Sequence, residues 1–146
     1  MKTNHDLSTA FKQHFSTEPT HGLFSPGRVN LIGEHIDYCG GHVMPMAINL
    51  GTSALFAANN TSSIRVYSTR FNEEVQVTAS DILSSKKNHW GDYVSGVCRM
   101  LGYRDLGHGF DMLVDDNISS GGLSSSASFS VAIAMAAYTI ANGRSL

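Results

Sequence analysis

The sequence predicts an α+β fold, in which helices pack on a layer of strands. Between residues 22 and 78, apolar residues alternate with polar ones in several short segments, as in strands with one exposed face. Residues 6–15 and 90–101 instead carry apolar side chains every three or four positions, as amphipathic helices do. After the first helix the strands come together and are followed by helix, strand and helix. This order favours a layered α+β arrangement over a regular βαβ winding.

The first half of the chain is predicted to hold one helix and most of the strands. The helix spans Asp6–Phe15, where leucine and phenylalanine recur every four residues. A turn at Ser25-Pro26-Gly27 is expected to separate two short strands within residues 22–32, and the polar residues 33–41 are expected to form a loop. Extended segments are then predicted over residues 44–48, 52–58, 64–69 and 74–78.

The second half is predicted to alternate between helix and strand. Polar residues 81–88 are expected to cross the surface, and residues 90–101 are expected to form an amphipathic helix. Alternate side chains of residues 109–114 are apolar, which predicts a strand. Residues 121–141 are almost wholly apolar after a serine-rich start, so we expect a helix that is buried on most of its sides.

Length, charge and cysteine content exclude several classes of protein. The 146 residues suffice for one domain with a core, or for part of a larger one. With 10 basic against 12 acidic residues and a pI near 6.3, the chain is not a strongly electrostatic nucleic-acid binder. Its longest apolar run, Val131–Tyr138, is too short to span a bilayer, and the polar N-terminus shows no secretory signal. Two cysteines are too few for a disulfide framework, so the cytoplasm is the expected location.

A glycine- and serine-rich segment, Ser119–Ser128, lies between the last predicted strand and the last helix. Glycine lets the backbone approach a ligand closely, and the free N–H groups at a helix start point toward that ligand. Together with the positive end of the helix dipole they suit a phosphate, and serine hydroxyls suit Mg²⁺, which prefers oxygen ligands. The alternative is ordinary N-capping by serine. The segment is not a Walker A loop, because no Gly-Lys-Ser/Thr closes it.

A second polar segment, Gly27–Tyr38, places charged groups around a short apolar strand. Arg28 and Glu34 lie at the two ends of that strand, and His35 and Asp37 follow in the next turn. Carboxylates and imidazole pair well with the hydroxyl groups of a sugar. An arginine is suited to stabilise charge that develops on a transferred phosphoryl group.

Two other interpretations of this second segment stay open. His35, Asp37, Cys39 and His42 are close in sequence, which allows a metal site, although their spacing fits no common zinc pattern. The segment is also compatible with a surface turn that is held by ordinary salt bridges.

Together the two segments resemble a known family. Gly27–Tyr38 resembles the signature of galactokinases, and Gly121–Ser128 resembles the phosphate loop of the GHMP kinase superfamily to which galactokinases belong. A tryptophan-led helix that lies between these motifs in the family is similar to the segment with Trp90, Tyr93, Gly96 and Val97. The resemblance covers essentially the whole chain. It implies an α+β fold, the N-terminal GHMP kinase domain (ribosomal protein S5 domain 2-like), in incomplete form.

The resemblance also implies roles for individual residues. Arg28 matches the arginine that stabilises the transition state near the transferred phosphate. The positions that match galactose-binding residues are Glu34, His35, Ile36 and Asp37. The positions that match the ATP phosphate loop are Ser120, Gly121, Gly122, Leu123, Ser124, Ser125 and Ser126, and Ser126 also matches the Mg²⁺ ligand. Ser68 and Trp90 match positions near the nucleotide.

The implied activity is transfer of the γ-phosphoryl group of ATP to the anomeric hydroxyl of galactose, which yields galactose 1-phosphate. Residues 1–50 then form the galactose-binding segment, and residues 51–146 form an incomplete ATP-binding domain. Galactose and ATP with Mg²⁺ are the expected ligands; neither nucleic acid nor membrane is an expected partner, and a monomer is favoured. The alternatives are a non-catalytic galactose and ATP sensor, a relative of N-acetylgalactosamine kinase, and a degraded reading frame whose product does not fold stably.

The sequence departs from the family pattern in the glycine- and serine-rich segment and after it. The segment is one residue shorter and lacks the usual opening proline, and Ser130 stands where glutamate is common. The family's aspartate base and its glutamate Mg²⁺ ligand follow the last helix. Both are therefore expected outside residues 1–146, and the chain is expected to be inactive alone.

Overall fold

One sheet and four helices make up the part of the chain that the structure describes. The computed structural model describes residues 4–83, 88–102, 109–119 and 122–143. The helices are α1 Asn4–Phe15, α2 Ala79–Leu83, α3 Gly91–Met100 and α4 Ser125–Asn142. The strands are β1 His21–Ile32, β2 Met44–Ala58, β3 Ile64–Ser68, β4 Glu73–Val77 and β5 Phe110–Asp116, with a 3₁₀ turn at Asp37–Cys39. None of these helices is long and apolar enough to cross a membrane.

The five strands form a mixed sheet in the order β1-β2-β5-β3-β4. Antiparallel pairing joins β1 to β2, β2 to β5, and β3 to β4, whereas β3 and β5 are parallel. Two parallel strands need a crossover connection, and here the chain passes from β3 to β5 through β4, α2 and α3. The strand that comes last in the sequence is therefore inserted at the centre of the sheet.

The central strand β5 is buried on both of its faces. Met112 and Val114 pack with residues of α3 and α4, and Leu113 packs on the opposite face with Phe11 of α1. Successive side chains of a strand point to opposite faces, so a strand between two helical layers is apolar on both. A mixed sheet that carries helices on both faces confirms the predicted α+β class.

β1 corrects the prediction of two short strands separated by a turn. Ser25-Pro26-Gly27 lies inside one strand, whose pairing with β2 shifts register at two points, one of them between Pro26 and Arg28. Such an irregularity bends a strand without ending it. β2 likewise runs without interruption through residues 49–51, which were not part of a predicted strand. The proposed division at residue 50 falls within β2, so segments 1–50 and 51–146 share one sheet.

α4 begins later and is less buried than the sequence predicts. It starts at Ser125 rather than at residue 121. One side of it, which includes Ala132 and Ile133, is buried on the sheet, but Val131 and Tyr138 are 49% and 44% exposed. An apolar composition buries a helix only where another element packs on each of its sides.

The connection between β4 and α3 also differs from the prediction of a polar surface crossing. Residues 79–83 form the short helix α2, whose Ile82 is buried in the same core as Val94 of α3. The Thr78 N–H donates to the Asp81 carboxylate at 3.0 Å, which caps this helix. Residues 84–87 of the predicted crossing lie outside the described residues.

Candidate functional site

α4 starts without the side-chain cap that a serine usually provides. Ser124 adopts the left-handed conformation, with φ 61° and ψ 38°, and its hydroxyl makes no hydrogen bond to the first turn. Its carbonyl accepts from the Ser128 N–H at 3.0 Å. The N–H groups of the preceding helical residues have no partner within a helix. Ser124 is the N-cap residue by position, but its side chain does not give the ordinary serine capping that was the alternative for this segment. The backbone donors of the first turn suit an anion.

Two residues that precede α4, Leu123 and Ser124, form hydrogen bonds with the backbone of Arg28. The Arg28 N–H donates to the Leu123 carbonyl at 3.2 Å, and the Ser124 hydroxyl donates to the Arg28 carbonyl at 3.3 Å. Gly27 allows this approach, because a Cβ atom there would lie 2.3 Å from Ile118 Cδ1 and 2.7 Å from the Leu123 carbonyl oxygen. The glycine- and serine-rich segment and the strand with Arg28 therefore form one unit.

The loop that follows β5 is held from two sides. Asn117 exchanges two hydrogen bonds with Gly51 of β2: its N–H donates to the carbonyl at 3.1 Å, and its side-chain oxygen accepts from the N–H at 2.7 Å. From the other side, Arg70 Nη1 donates to the Ile118 carbonyl at 3.1 Å. Ile118 itself is buried. These contacts fix the approach of the chain to the start of α4.

A buried network of hydroxyl groups lies beneath the first turn of α4. The Ser128 hydroxyl donates to the Ser25 carbonyl of β1 at 2.6 Å and accepts from the Thr52 N–H of β2 at 3.0 Å. The Thr52 hydroxyl in turn donates to Asp116 Oδ1 at 2.7 Å. Ser128, Ser25 and Thr52 are all buried, and a satisfied buried network of this kind holds its members in one arrangement.

Asp116 is the end of this network that reaches the surface of a cavity. Burial raises the pKa of its carboxyl group above the ordinary value, while the hydrogen bond from Thr52 and the nearby Arg70 lower it and Asp115 raises it further. The desolvation of the carboxylate is the largest of these causes. A cation close to Asp116 would therefore stabilise its charged form.

The cavity has a volume of about 280 Å³ and lies between the turn after β3, the start of α3, the end of β5 and the start of α4. Its lining residues are Ser68, Arg70, Phe71, Trp90, Tyr93, Asp116, Ser125, Ser126 and Phe129. Each of the four aromatic rings contacts at least one other ring, and together they form one wall. Phe71 stacks on Trp90 at 5.8 Å between centroids, and Phe129 lies edge-on to Trp90 at 6.0 Å. The remaining lining residues carry hydroxyl or charged groups.

Trp90 is oriented by a hydrogen bond outside the cavity. Its Nε1–H donates to Glu73 Oε2 of β4 at 2.8 Å, and His89 Nε2 lies 3.2 Å from the same oxygen. The bond from Trp90 is the main reason why the pKa of Glu73 is lowered. The ring of Trp90 is therefore held both by Glu73 and by its ring contacts with Phe71 and Phe129 in the cavity wall.

A second, larger cavity of about 1030 Å³ continues from Trp90 and Tyr93 along the groove between α3 and α4. Its walls include Val97 and Met100 of α3 and Val131 of α4. The groove is mainly apolar, in contrast to the mixed lining of the smaller cavity.

The predicted sugar-binding segment lies on the surface. Arg28, Glu34, His35 and Ile36 are all exposed, and for Asp37 only the backbone, in the 3₁₀ turn, is described. His35 has a φ of +64°. Its Nδ1 lies 3.3 Å from the hydroxyl of Tyr38. The described contacts therefore bring His35 to Tyr38.

Gly33 makes the tight turn at the start of this segment. Its φ is +93°, and a Cβ atom there would lie 2.6 Å from the carbonyl oxygen of His42. Around this turn, Leu31, Ile32 and Met44 are 60%, 68% and 56% exposed. We call residues 28–47, which contain the ends of β1 and β2 and this turn, the hairpin arm.

The structure brings together some of the residues that the sequence predicts for the site. Ser68, Trp90, Ser125 and Ser126 line the same cavity. Leu123 and Ser124 contact the backbone of Arg28, and Gly122 has a φ of +76°. Ser120 and Gly121 lie outside the described residues. Among the described side chains, no group of three or more histidine, cysteine or acidic residues is placed to hold a metal ion.

Sequence reasoning missed Asp116 and most of the aromatic wall. Asp116 ends the strand that leads into the glycine- and serine-rich segment, and an acidic residue at that point is a signal that was available. Tyr93 belongs to the segment that resembles the family's tryptophan-led helix, but it was not predicted to be a site residue. Phe71 and Phe129 lie in separate elements and offer no sequence signal of their shared cavity.

Comparisons with known protein families match both halves of the chain. Residues 9–58 match the galactokinase galactose-binding signature, and residues 92–146 match the GHMP kinases N terminal domain. The first match contains the hairpin arm and the whole of β1 and β2. The second contains β5, α4 and all of α3 except Gly91, and these elements supply much of the cavity wall.

Individual relatives agree with these matches. A galactokinase of Lacticaseibacillus casei strain BL23 is 38% identical over 133 residues, which are 88% of this chain and 34% of that protein. The structure of Lactococcus lactis galactokinase complexed with galactose is 31% identical, with a TM-score of 0.86, and the match covers 94% of this chain and 37% of that one. Methanococcus jannaschii mevalonate kinase, at 24% identity and a TM-score of 0.70, shares the fold over 85% of this chain and 41% of its own. The chain spans about a third of the length of the curated galactokinases that it matches.

Proposed function

Because this chain belongs to the galactokinase family, whose N-terminal portion it matches, we propose that it binds ATP and galactose for transfer of the γ-phosphoryl group to the anomeric hydroxyl of the sugar. The observation that carries this proposal is the meeting of the predicted nucleotide residues in one cavity beside the backbone of Arg28. The product of the transfer is galactose 1-phosphate.

The small cavity has the two kinds of surface that a nucleotide requires. The wall formed by Phe71, Trp90, Tyr93 and Phe129 suits a flat base, because aromatic rings stack on the π-face of any base. Ser125 and Ser126 in the first turn of α4 suit phosphate oxygens, through their hydroxyls and the N–H groups of that turn, which have no partner within the helix. We assign the aromatic wall to the base and the start of α4 to the phosphates.

The donor set of the cavity also fits Mg²⁺. Ser126 and Asp116 offer a hydroxyl and a carboxylate oxygen in the same cavity. Mg²⁺ is usually held by one or two carboxylates together with substrate phosphates, rather than by a cage of protein ligands. When it is bound, the ion neutralises charge on the phosphates. The chain's own part is to place these oxygen donors next to the start of α4.

We assign Arg28 a role between the two substrates. Its backbone is bonded to Leu123 and Ser124, so its position follows that of the phosphate-binding segment. Its side chain is exposed to solvent and is not part of the hydrophobic core. A guanidinium group there would stabilise negative charge on the phosphoryl group as it moves, which is the main task of a phosphoryl-transfer site.

The sugar is assigned to the hairpin arm. The galactose-binding signature covers this arm, and the L. lactis galactokinase that resembles the chain is complexed with galactose. Glu34, His35, Ile36 and Asp37 are the proposed contacts, with the polar side chains bonding to hydroxyl groups. A cytoplasmic location and a monomeric state remain predictions.

An assay of ADP release with galactose, N-acetylgalactosamine and no sugar tests this function. Release that depends on galactose supports phosphoryl transfer to that sugar. Binding of galactose and ATP without turnover agrees with the expectation that residues 1–146 are inactive alone, and it supports the binding part of the proposal. If neither ligand binds to a folded sample, the proposed function is wrong.

A further inference from the structure

Asp116 stands out among the residues that line the small cavity. Apart from Arg70 it is the charged residue of the described lining, and it faces the same space as Ser125 and Ser126. A carboxylate next to a polyphosphate is unfavourable, because like charges repel more strongly in a partly buried site than in water. If the cavity binds a nucleotide, some other group must therefore offset the repulsion between the Asp116 carboxylate and the phosphates.

The carboxylate is not left to adjust freely. The Thr52 hydroxyl donates to Asp116 Oδ1 at 2.7 Å. The backbone N–H of Thr52 in turn donates to the Ser128 hydroxyl at 3.0 Å. Thr52 is fully buried, and Ser128 is 2% exposed. Two buried hydroxyl groups on different elements thus orient one carboxylate at the edge of the cavity.

A divalent cation resolves the conflict between this carboxylate and a polyphosphate. Mg²⁺ binds carboxylate and phosphate oxygens at once, so a repulsive pair becomes a bridged one. Arg70 is not sufficient for this, because its Nη1 already donates to the Ile118 carbonyl and its guanidinium lies over the ring of Phe71.

We propose that Asp116 contacts the divalent cation of the bound nucleotide and makes the cavity selective for the cation complex over the free nucleotide. The proposal rests on the proposed function, since it assumes that the cavity holds a nucleotide. It adds a cation-contacting carboxylate to the predicted Ser126.

Trp90 offers a direct test, because it is the chain's one tryptophan and it lines the cavity. Its fluorescence is titrated with ATP in Mg²⁺ and, separately, in EDTA, for the wild type and for Asp116→Asn. We expect the wild type to bind about tenfold more tightly with Mg²⁺, and Asp116→Asn to lose most of that preference. The asparagine keeps an oxygen that accepts from Thr52.

Asp115→Asn is the matched control. It removes the same charge from the neighbouring position, but successive strand residues point to opposite faces and Asp115 does not line the cavity. Its asparagine keeps an acceptor for the Thr69 hydroxyl. Asp116→Ser, which also keeps an acceptor for Thr52, replaces Asp116→Asn if thermal unfolding shows that the latter does not fold.

The outcomes separate this proposal from the proposed function. Loss of the Mg²⁺ preference in the Asp116 variant, with the preference kept in Asp115→Asn, supports the proposal. Equal affinity of the wild type in Mg²⁺ and EDTA, or an unchanged preference in the Asp116 variant, overturns it and leaves nucleotide binding intact. A wild type that binds ATP in neither condition overturns the proposed function as well.

Discussion

The small cavity and the hairpin arm differ in how completely the described residues build them. The cavity is enclosed by residues from β3, β5, α3, α4 and the turn after β3, over a buried hydroxyl network. The arm presents Arg28, Glu34 and His35 to solvent, and its apolar residues Leu31 and Ile32 are more than half exposed. The proposed nucleotide site is thus organised by packing within this chain, whereas the proposed sugar site is organised by a local turn.

This difference predicts which substitutions should affect nucleotide binding and which should leave the fold unchanged. Nucleotide binding should respond to changes in the core beneath α4, because the network of Ser128 and Thr52 holds the start of that helix. Changes in side chains of the arm should leave the fold intact, because none of the arm's described side chains belongs to the core. The unit of Gly27, Arg28 and Leu123 joins the two regions.

Gly27→Ala should have the largest effect, because it disrupts the contact between β1 and the segment that contains Leu123. The added methyl group would overlap Ile118 and the Leu123 carbonyl, so the loop must move away from β1. We expect the free energy of unfolding to fall by about 1–3 kcal/mol and ATP affinity to fall with it. Thermal unfolding and calorimetry measure the two effects. Gly96→Ala is the control, because a Cβ atom there meets open space, and an unchanged Gly27→Ala variant would contradict the account.

Ser128→Ala should destabilise the buried hydrogen-bond network that lies beneath the first turn of α4. It removes the acceptor of the buried Thr52 N–H and the donor to the Ser25 carbonyl. An unsatisfied buried group of this kind costs about 1–3 kcal/mol, so we expect a loss of that size in urea unfolding. Ser130→Ala, two residues further along α4, is the control for helix propensity. Equal stability of the two variants would show that the network does not support the start of α4.

Phe71→Ala should weaken ATP binding with little effect on stability. Phe71 is 52% exposed but stacks on Trp90 in the cavity wall. Loss of one stacking surface costs about 1–3 kcal/mol of binding free energy. We therefore expect calorimetry to show a loss of ATP affinity on the order of tenfold. Tyr138→Ala removes an exposed aromatic residue of α4 that lines neither cavity. If both variants bind ATP like the wild type, the aromatic wall is not the base-binding surface.

Arg28→Ala should leave both stability and ATP affinity nearly unchanged. The exposed side chain is lost, but the hydrogen bonds that join this residue to Leu123 and Ser124 come from its backbone. A change within about 0.5 kcal/mol is expected in thermal unfolding. Unfolding of this variant would mean that the side chain has a structural task instead of a catalytic one.

The smallest effect concerns the two thiols. Burial raises the pKa of Cys98 to about 12, so its reactive thiolate is absent near pH 8, whereas Cys39 lies exposed in the hairpin arm. Iodoacetamide should therefore modify Cys39 alone in the folded chain, as read by mass spectrometry. Fast modification of Cys98 would show that α3 is not packed as described.

The periodic elements were predictable because burial is encoded in local spacing. Leu7, Phe11 and Phe15 recur as one helical face, and they pack together under the sheet. The turn predicted at Ser25-Pro26-Gly27 was wrong because pairing with β2 overrides the local preference of proline and glycine. Local signals thus predict an element well when its partner is already implied by the same pattern.

The composition of the cavity could be predicted only in part. Family resemblance pointed to Ser68, Trp90 and Ser126, which lie far apart in the chain. Their meeting depends on the insertion of β5 between β2 and β3, which no local spacing reveals. Asp116 becomes significant only when this topology brings it into the same cavity as Ser126.

The central claim is that this chain itself builds a nucleotide site, while its sugar-binding residues lie on an open surface. Calorimetric titration of one sample with ATP and Mg²⁺, and of a second with galactose, tests it most directly. The account predicts measurable binding of ATP without sugar, and weaker binding of galactose without nucleotide. Binding of galactose by a folded chain that does not bind ATP would contradict it.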